Sequence, residues 1–244
     1  MIKFVNSRGK KRKNDAPDEV MISRVQELYT SSHLSDLKLK VGDHEFKVHK
    51  FMLCLHSDYF KHLFTGGWAK TVDDVFELEE EDPVIIVALI NFIYSFKYEI
   101  SEEIDKIALI DFNTKLYQVA DKYLVLKLKE VTSKRVNEIA KECWESEDFP
   151  VSIAEAYERT SPTETLLRGV FVNISYDHID ALMESENFRA VVQGTVGFAA
   201  DLVRVLYQEN ADQKLEGYKI HCSFCSKKST YVVDEEDRTL GYEP

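Results

Sequence analysis

One pair of residues in this chain has the spacing of metal chemistry. Cys222 and Cys225 are separated by two residues in YKIHCSFCSKKSTYVV, residues 218–233. A Cys-x-x-Cys turn presents two thiolates to one tetrahedral ion, and zinc is the ion it takes. A closed zinc site needs four ligands. His221 adjoins the pair, but neighbours on a strand point to opposite faces. A distant histidine, Cys143 or a second chain would have to complete the set. The alternative is a pair of reduced thiols in a hairpin, with no cofactor. A redox pair lacks the strand-helix setting of thioredoxin-like motifs.

Other chemistry is sparse. Gly66-Gly67 lacks the Lys-Ser/Thr of a phosphate loop, and no nucleophile or paired acid system stands out, so no enzyme is expected. Glu79, Glu80, Glu81 and Asp82 precede Pro83 and suit a helix N-terminus, where the dipole favours negative charge. His49 has no cysteine or carboxylate at metal-ligand spacing. It is read as a histidine that bonds backbone and locks a strand-to-helix turn. Lys10, Lys11, Arg12 and Lys13 form a compact cationic run, the pattern of a nuclear-import signal or of a solvated tail.

Composition narrows the class. A hydrophobic content of 44% permits a real core, and a formal net charge of −12 disfavours broad contact with nucleic-acid phosphates. The cysteines Cys54, Cys143, Cys222 and Cys225 are scattered, which fits reduced thiols in the nucleus or cytoplasm. The longest apolar run, residues 83–94, is too short to span a bilayer and contains Asn91, so no membrane association is expected.

The elements that position these residues are plainest between 35 and 64, SDLKLKVGDHEFKVHKFMLCLHSDYFKHLF. Leu37, Leu39 and Val41 alternate with polar neighbours, Gly42-Asp43 supplies a turn, and Phe46 and Val48 alternate again. That pattern predicts a hairpin with one buried face. From His49 the spacing becomes helical. Phe51, Leu53 and Leu55 are apolar, Ser57 suits an N-cap, and Tyr59, Phe60, Leu63 and Phe64 line one stripe. Met21, Val25, Leu28 and Tyr29 fit a short amphipathic helix ahead of the hairpin.

This order of elements resembles the BTB/POZ family. Ser35-Asp36, Phe46, His49, Leu53, Ser57, Tyr59-Phe60 and Phe64 fall where that family has Ser-Asp, "F-x-x-H" and "L-x-x-x-S-x-Y-F-x-x-x-F". VFELEEEDPVIIVALINFIYSFKY, residues 75–98, is similar to its third strand, acidic cap and amphipathic helix ending at Tyr94 and Tyr98. YQVADKYLVLKLK, residues 117–129, is similar to its "A-D-K-Y" helix pair. The resemblance covers about residues 30–135. The Cys222-Cys225 knuckle adds a looser likeness to the tails of some fungal BTB proteins.

The resemblance implies an α+β fold, a small three-stranded sheet covered by a cluster of helices. It implies a homodimer, with Asp36 and Lys50 near the dimer groove as a charge pair that tunes partner choice. The helix before the first strand packs across a partner in many such chains. Trp68, in FTGGWAK, would be the hydrophobic residue of the loop that recruits a cullin in some members. Lys70 stands where that pattern has glutamate, a departure from it.

The rest of the chain divides by composition. Residues 1–20 read as a tail, 21–135 as the BTB/POZ domain, 136–210 as a helical extension and 211–244 as a hairpin with its Cys-x-x-Cys and tail. The acidic stretch ECWESEDFP, residues 142–150, suggests a boundary at its proline. Ser161-Pro162 punctuates the extension, with Pro162 suited to a first helical position. Leu166, Leu167, Val170, Phe171 and Ile174 make one helical stripe. Val191, Val192, Thr195, Phe198, Ala199, Leu202, Val203 and Leu206 make another, interrupted by Gly194 and Gly197. The expected function is a self-associating scaffold or adaptor that binds protein. The alternatives are a substrate adaptor of a cullin-based ubiquitin ligase and a zinc-knuckle nuclear regulator.

Overall fold

The computed structural model describes residues 17–66, 74–78, 81–100, 104–215, 218–221 and 228–231. Helix α1, Pro17–Ser31, leads into strands β1, Leu37–Val41, and β2, His44–Val48. They form the expected hairpin, turned at Gly42, whose φ of 55° belongs to the left-handed region that glycine tolerates. The alternation sorts β1 cleanly: Leu37, Leu39 and Val41 are buried, while Lys38 points out to Glu45.

Helix α2, Lys50–His56, and helix α3, Asp58–Thr65, follow. They are separate because Ser57 is extended, with φ −140° and ψ 117°, and its Oγ accepts the Phe60 N–H as an N-cap. The same hydroxyl donates to the Tyr123 carbonyl, so one serine ends one helix, starts the next and ties both to the core. Strand β3, Val75–Glu77, pairs parallel to β1, giving a three-stranded sheet of order β2-β1-β3.

Helix α4, Pro83–Ser95, is the central core helix. Asp82 caps it, Pro83 occupies its first position, and Ile86, Ile90 and Ile93 are fully buried. Helices α5, Lys106–Lys122, and α6, Leu126–Cys143, pack on each other. Tyr98 joins α4 to α5, its hydroxyl donating to Asn113 Oδ1 at 2.6 Å. Burial pushes the pKa of that phenol up to about 12. Phe60 stacks on Tyr123 and meets Phe76 edge-on, so α3, the α5–α6 turn and β3 share one aromatic centre.

The chain separates into two compact units between Phe171 and Val172. Helix α7, Phe149–Arg159, packs on α5 inside the first unit, with Pro150 in its first turn. The acidic stretch 142–150 therefore spans the end of α6, the connection at residues 144–148 and the start of α7. Helix α8, Leu166–Asp177, begins later than Pro162, which lies in the turn before it.

The second unit has its own aromatic contact. Helices α9, Ile179–Glu184, α10, Glu186–Gly194, and α11, Phe198–Leu215, follow α8. The single stripe expected from Val191 to Leu206 is two helices, because Gly197 adopts φ 93° and breaks it. Phe188 and Phe198 meet edge-to-face across that break. Strands β4, Tyr218–His221, and β5, Lys228–Tyr231, pair antiparallel and end the described chain. Among the described residues no single helix is long and apolar enough to cross a membrane.

Candidate functional site

The turn from β2 into α2 is built around one histidine. The His49 backbone N–H donates to the Tyr94 hydroxyl at 2.8 Å, and His49 Nδ1 lies 2.7 Å from the same oxygen. His49 Nε2 lies 2.8 Å from the His33 carbonyl. A carbonyl only accepts, so Nε2 carries the proton. Nδ1 then accepts the Tyr94 O–H. Every donor in this arrangement has an acceptor, which is what a nearly buried imidazole requires. Tyr29 of α1 stacks on Tyr94 with ring centroids 4.8 Å apart. Burial raises the pKa of both phenols, so both stay protonated.

The hub restrains a strained connection. Ser32 and Leu34, between α1 and β1, sit at φ 53° and 61°. Left-handed backbone costs a non-glycine residue about 1–2 kcal/mol. The bond from His49 to the intervening His33 carbonyl holds this turn against the start of α2. It leaves the Leu34 side chain 74% exposed.

Asp36 and Lys50 come together, but not as an ion pair. Asp36 Oδ1 accepts the Lys50 backbone N–H at 2.8 Å, so the carboxylate satisfies the first turn of α2. The Lys50 ammonium reaches Asp74 Oδ1 at 2.6 Å instead. Sequence reading missed Asp74, because the parallel pairing of β1 with β3 is what delivers it beside α2. Lys38 N–H bonds the Asp74 carbonyl at 2.8 Å and fixes that delivery. The pair is solvent-facing, a geometry worth about 0–1 kcal/mol.

Helix α2 then presents two unlike faces. Met52 and Leu53 are buried among the core residues. Phe51 and Leu55, four residues apart and therefore on one side, are 73% and 63% exposed. Cys54 lies between them, half-buried, its Sγ 3.7 Å from the Phe60 carbonyl. Burial raises its thiol pKa, aided by the Asp36 charge. His56, at the end of α2, meets Phe96 edge-on at 5.0 Å, and burial lowers its pKa. On α1, Val20 and Met21 are also exposed. The expected stripe of α1 is split: Val25 and Tyr29 pack against their own core, whereas Met21 faces out.

The outer side of α2 is thus apolar, with the Lys50–Asp74 ion pair at its start. Among the described residues no group of three or more histidine, cysteine, aspartate or glutamate side chains is placed to hold a metal ion. Trp68, Lys70, Lys10, Lys11, Arg12, Lys13, Cys222 and Cys225 lie outside the described residues. The connection carrying Cys222 and Cys225 runs between β4 and β5.

Comparison with known proteins agrees with this architecture. Residues 25–139 match the family model of the BTB/POZ domain. Human Kelch-like protein 30 is 30% identical over 82 residues, which are 34% of this chain and 14% of that protein. Human Rabankyrin-5 is 31% identical over 126 residues, 50% of this chain and 10% of that protein. A BTB/POZ domain-containing protein of Arabidopsis thaliana is 27% identical over 128 residues, 50% of this chain and 15% of that protein. Among solved structures, the BTB domain of zebrafish PATZ1 aligns at 17% identity with a TM-score of 0.41, covering 52% of this chain and 99% of that one. Residues 25–139, which hold the three-stranded sheet and its helical cover, are the BTB/POZ-like part of the molecule. The matched stretch is a small share of each curated relative, between 10% and 15% of its length.

Proposed function

We propose that this chain is a protein–protein interaction module that forms a homodimer through the outer face of α2, and serves as a scaffold or adaptor. The observation that carries it is the exposed pair Phe51 and Leu55 on a helix whose other side is core. Full burial of such a side chain stabilises by about 1.5–3 kcal/mol. A two-fold contact uses the same patch twice, so these residues act in duplicate. Asp36, Lys50 and Asp74 stand beside the patch. Their charges favour correct partners and speed encounter more than they add affinity.

Sedimentation velocity on the full chain tests this. The parent protein is expected at the mass of two chains. Phe51→Glu with Leu55→Glu is expected at the mass of one, with an unchanged far-ultraviolet circular-dichroism spectrum. A parent protein that stays at the mass of one chain at high concentration overturns the proposal.

A second reading, adaptor of a cullin-based ubiquitin ligase, is one the BTB/POZ resemblance permits: Trp68 would be the hydrophobic anchor, while Lys70, standing where the recruiting pattern has glutamate, argues against it. Pull-down with a purified cullin amino-terminal domain, using parent and Trp68→Ala chains, decides it. Lys10–Lys13 would direct the module to the nucleus, and deletion of residues 1–20 from a fluorescent fusion tests that.

A further inference from the structure

We propose that Ser161 is a phosphate acceptor for a proline-directed serine/threonine kinase, and that the phosphate loosens the ionic clasp holding the α7–α8 turn to α6. The reading is independent of dimerisation. Ser161-Pro162 is the dipeptide such kinases select. Proline lacks an N–H and biases the residue before it towards extended backbone, the form a kinase cleft accepts. Ser161, Pro162 and Thr163 are all exposed. The Ser161 hydroxyl lies 3.0 Å from Thr163 Oγ1 and accepts the Thr163 N–H at 3.4 Å. Both contacts stay within the turn, so engaging the hydroxyl breaks only local bonds.

The turn is already organised around charge. Lys129 Nζ on α6 lies 2.6 Å from both Glu164 Oε2 and Asp121 Oδ1. The Lys129 and Glu164 side chains are only 13% and 14% exposed. Glu164 Oε1 accepts the Leu166 N–H at 2.9 Å, so one carboxylate caps α8 and grips α6 together. Glu164 N–H donates to the Ser161 carbonyl at 2.9 Å, which makes the two residues the ends of one closed turn. Two arginines flank the turn: Arg159 at the end of α7 reaches Asp111 Oδ1 at 3.9 Å, and Arg168 donates to Thr160 Oγ1 and the Tyr157 carbonyl at 2.9 Å each.

In the modification, Ser161 Oγ bonds to the γ-phosphorus of ATP on the kinase. The bond from that phosphorus to the β,γ-bridging oxygen breaks, ADP leaves with the electron pair, and the hydroxyl proton passes to the kinase base. The product carries about −1.5 to −2 charges and three strong acceptors. Placed in the turn that bears Glu164, it repels that carboxylate and competes for Lys129. Burial works against the Glu164 charge, and the Lys129 and Leu166 contacts outweigh it, so a neighbouring dianion opposes the balance that now keeps Glu164 ionised.

The full chain is incubated with a recombinant proline-directed kinase, magnesium and ATP. Peptide mapping is expected to place one phosphate on Ser161. Ser161→Ala removes it, and Pro162→Ala, which keeps the hydroxyl, sharply reduces it. Hydrogen exchange at the Leu166 amide is expected to rise several-fold on phosphorylation, and Lys129→Ala reproduces the rise without phosphate. A native chain that gains no phosphate at Ser161, or a Pro162→Ala chain modified as readily as the parent, overturns acceptor status. A phosphorylated chain with unchanged exchange at Leu166 overturns the loosening.

Discussion

The two sides of α2 hold the same kinds of residue and do opposite things. Leu53 is fully buried and Leu55, two positions on, is 63% exposed. Both are leucines on one seven-residue helix. Hydrophobic character therefore states that a side chain needs cover, not who supplies it. Inside, the cover is α4 and the sheet. Outside, nothing in the chain's described residues covers Phe51 or Leu55 to the same degree, and a second chain is the proposed cover.

The sharpest way to break this contrast is to truncate each side in turn. Leu53→Ala is expected to cost about 2–5 kcal/mol in a urea titration. Leu55→Ala is expected to change that titration by no more than about 0.5 kcal/mol while weakening association. Equal effects on stability would erase the distinction between the faces. Next in size is Tyr94→Phe, which removes the hydroxyl shared by the His49 N–H and Nδ1. It leaves buried polar atoms unpaired at about 1–3 kcal/mol, read as a lowered denaturation midpoint. Ser57→Ala, which loses the α3 cap, is expected to cost about 1 kcal/mol.

The smallest expected effect is a pH slope. Burial holds the folded His56 pKa below its ordinary value. The unfolded chain therefore takes up the proton first as pH falls through about 6.5. Stability is full above that range and declines towards the lower folded value. His56→Gln should flatten that part of the stability profile, and an unaltered slope would place the titrating group elsewhere.

How much of this was legible in the sequence differs along the chain. The hairpin, the Ser57 cap and the Asp82-Pro83 start of α4 were readable because turn and cap residues act locally. The orientation of α2 was not. In KFMLCLH almost every position is apolar, so periodicity cannot rank Leu53 above Leu55. Asp74 was invisible as the partner of Lys50, because only the parallel strand pairing brings them together. The break between α10 and α11 had a visible cue in Gly197, but spacing alone cannot separate a tolerated glycine from a left-handed one. The Lys129–Glu164 clasp needs the α7–α8 turn folded back on α6, a relation with no local signature.

The sheet order β2-β1-β3 bears on how the molecule is made. Strands β1 and β2 are joined by a tight turn, and hairpins of that kind close in about 1–10 μs. Strand β3 reaches β1 only after α2 and α3 have been laid down between them, a longer closure that is entropically slower. During synthesis the first two strands emerge as a ribbon whose other edge is bare. Chaperone demand should thus fall once residue 77 has left the ribosome and the ribbon acquires its third strand.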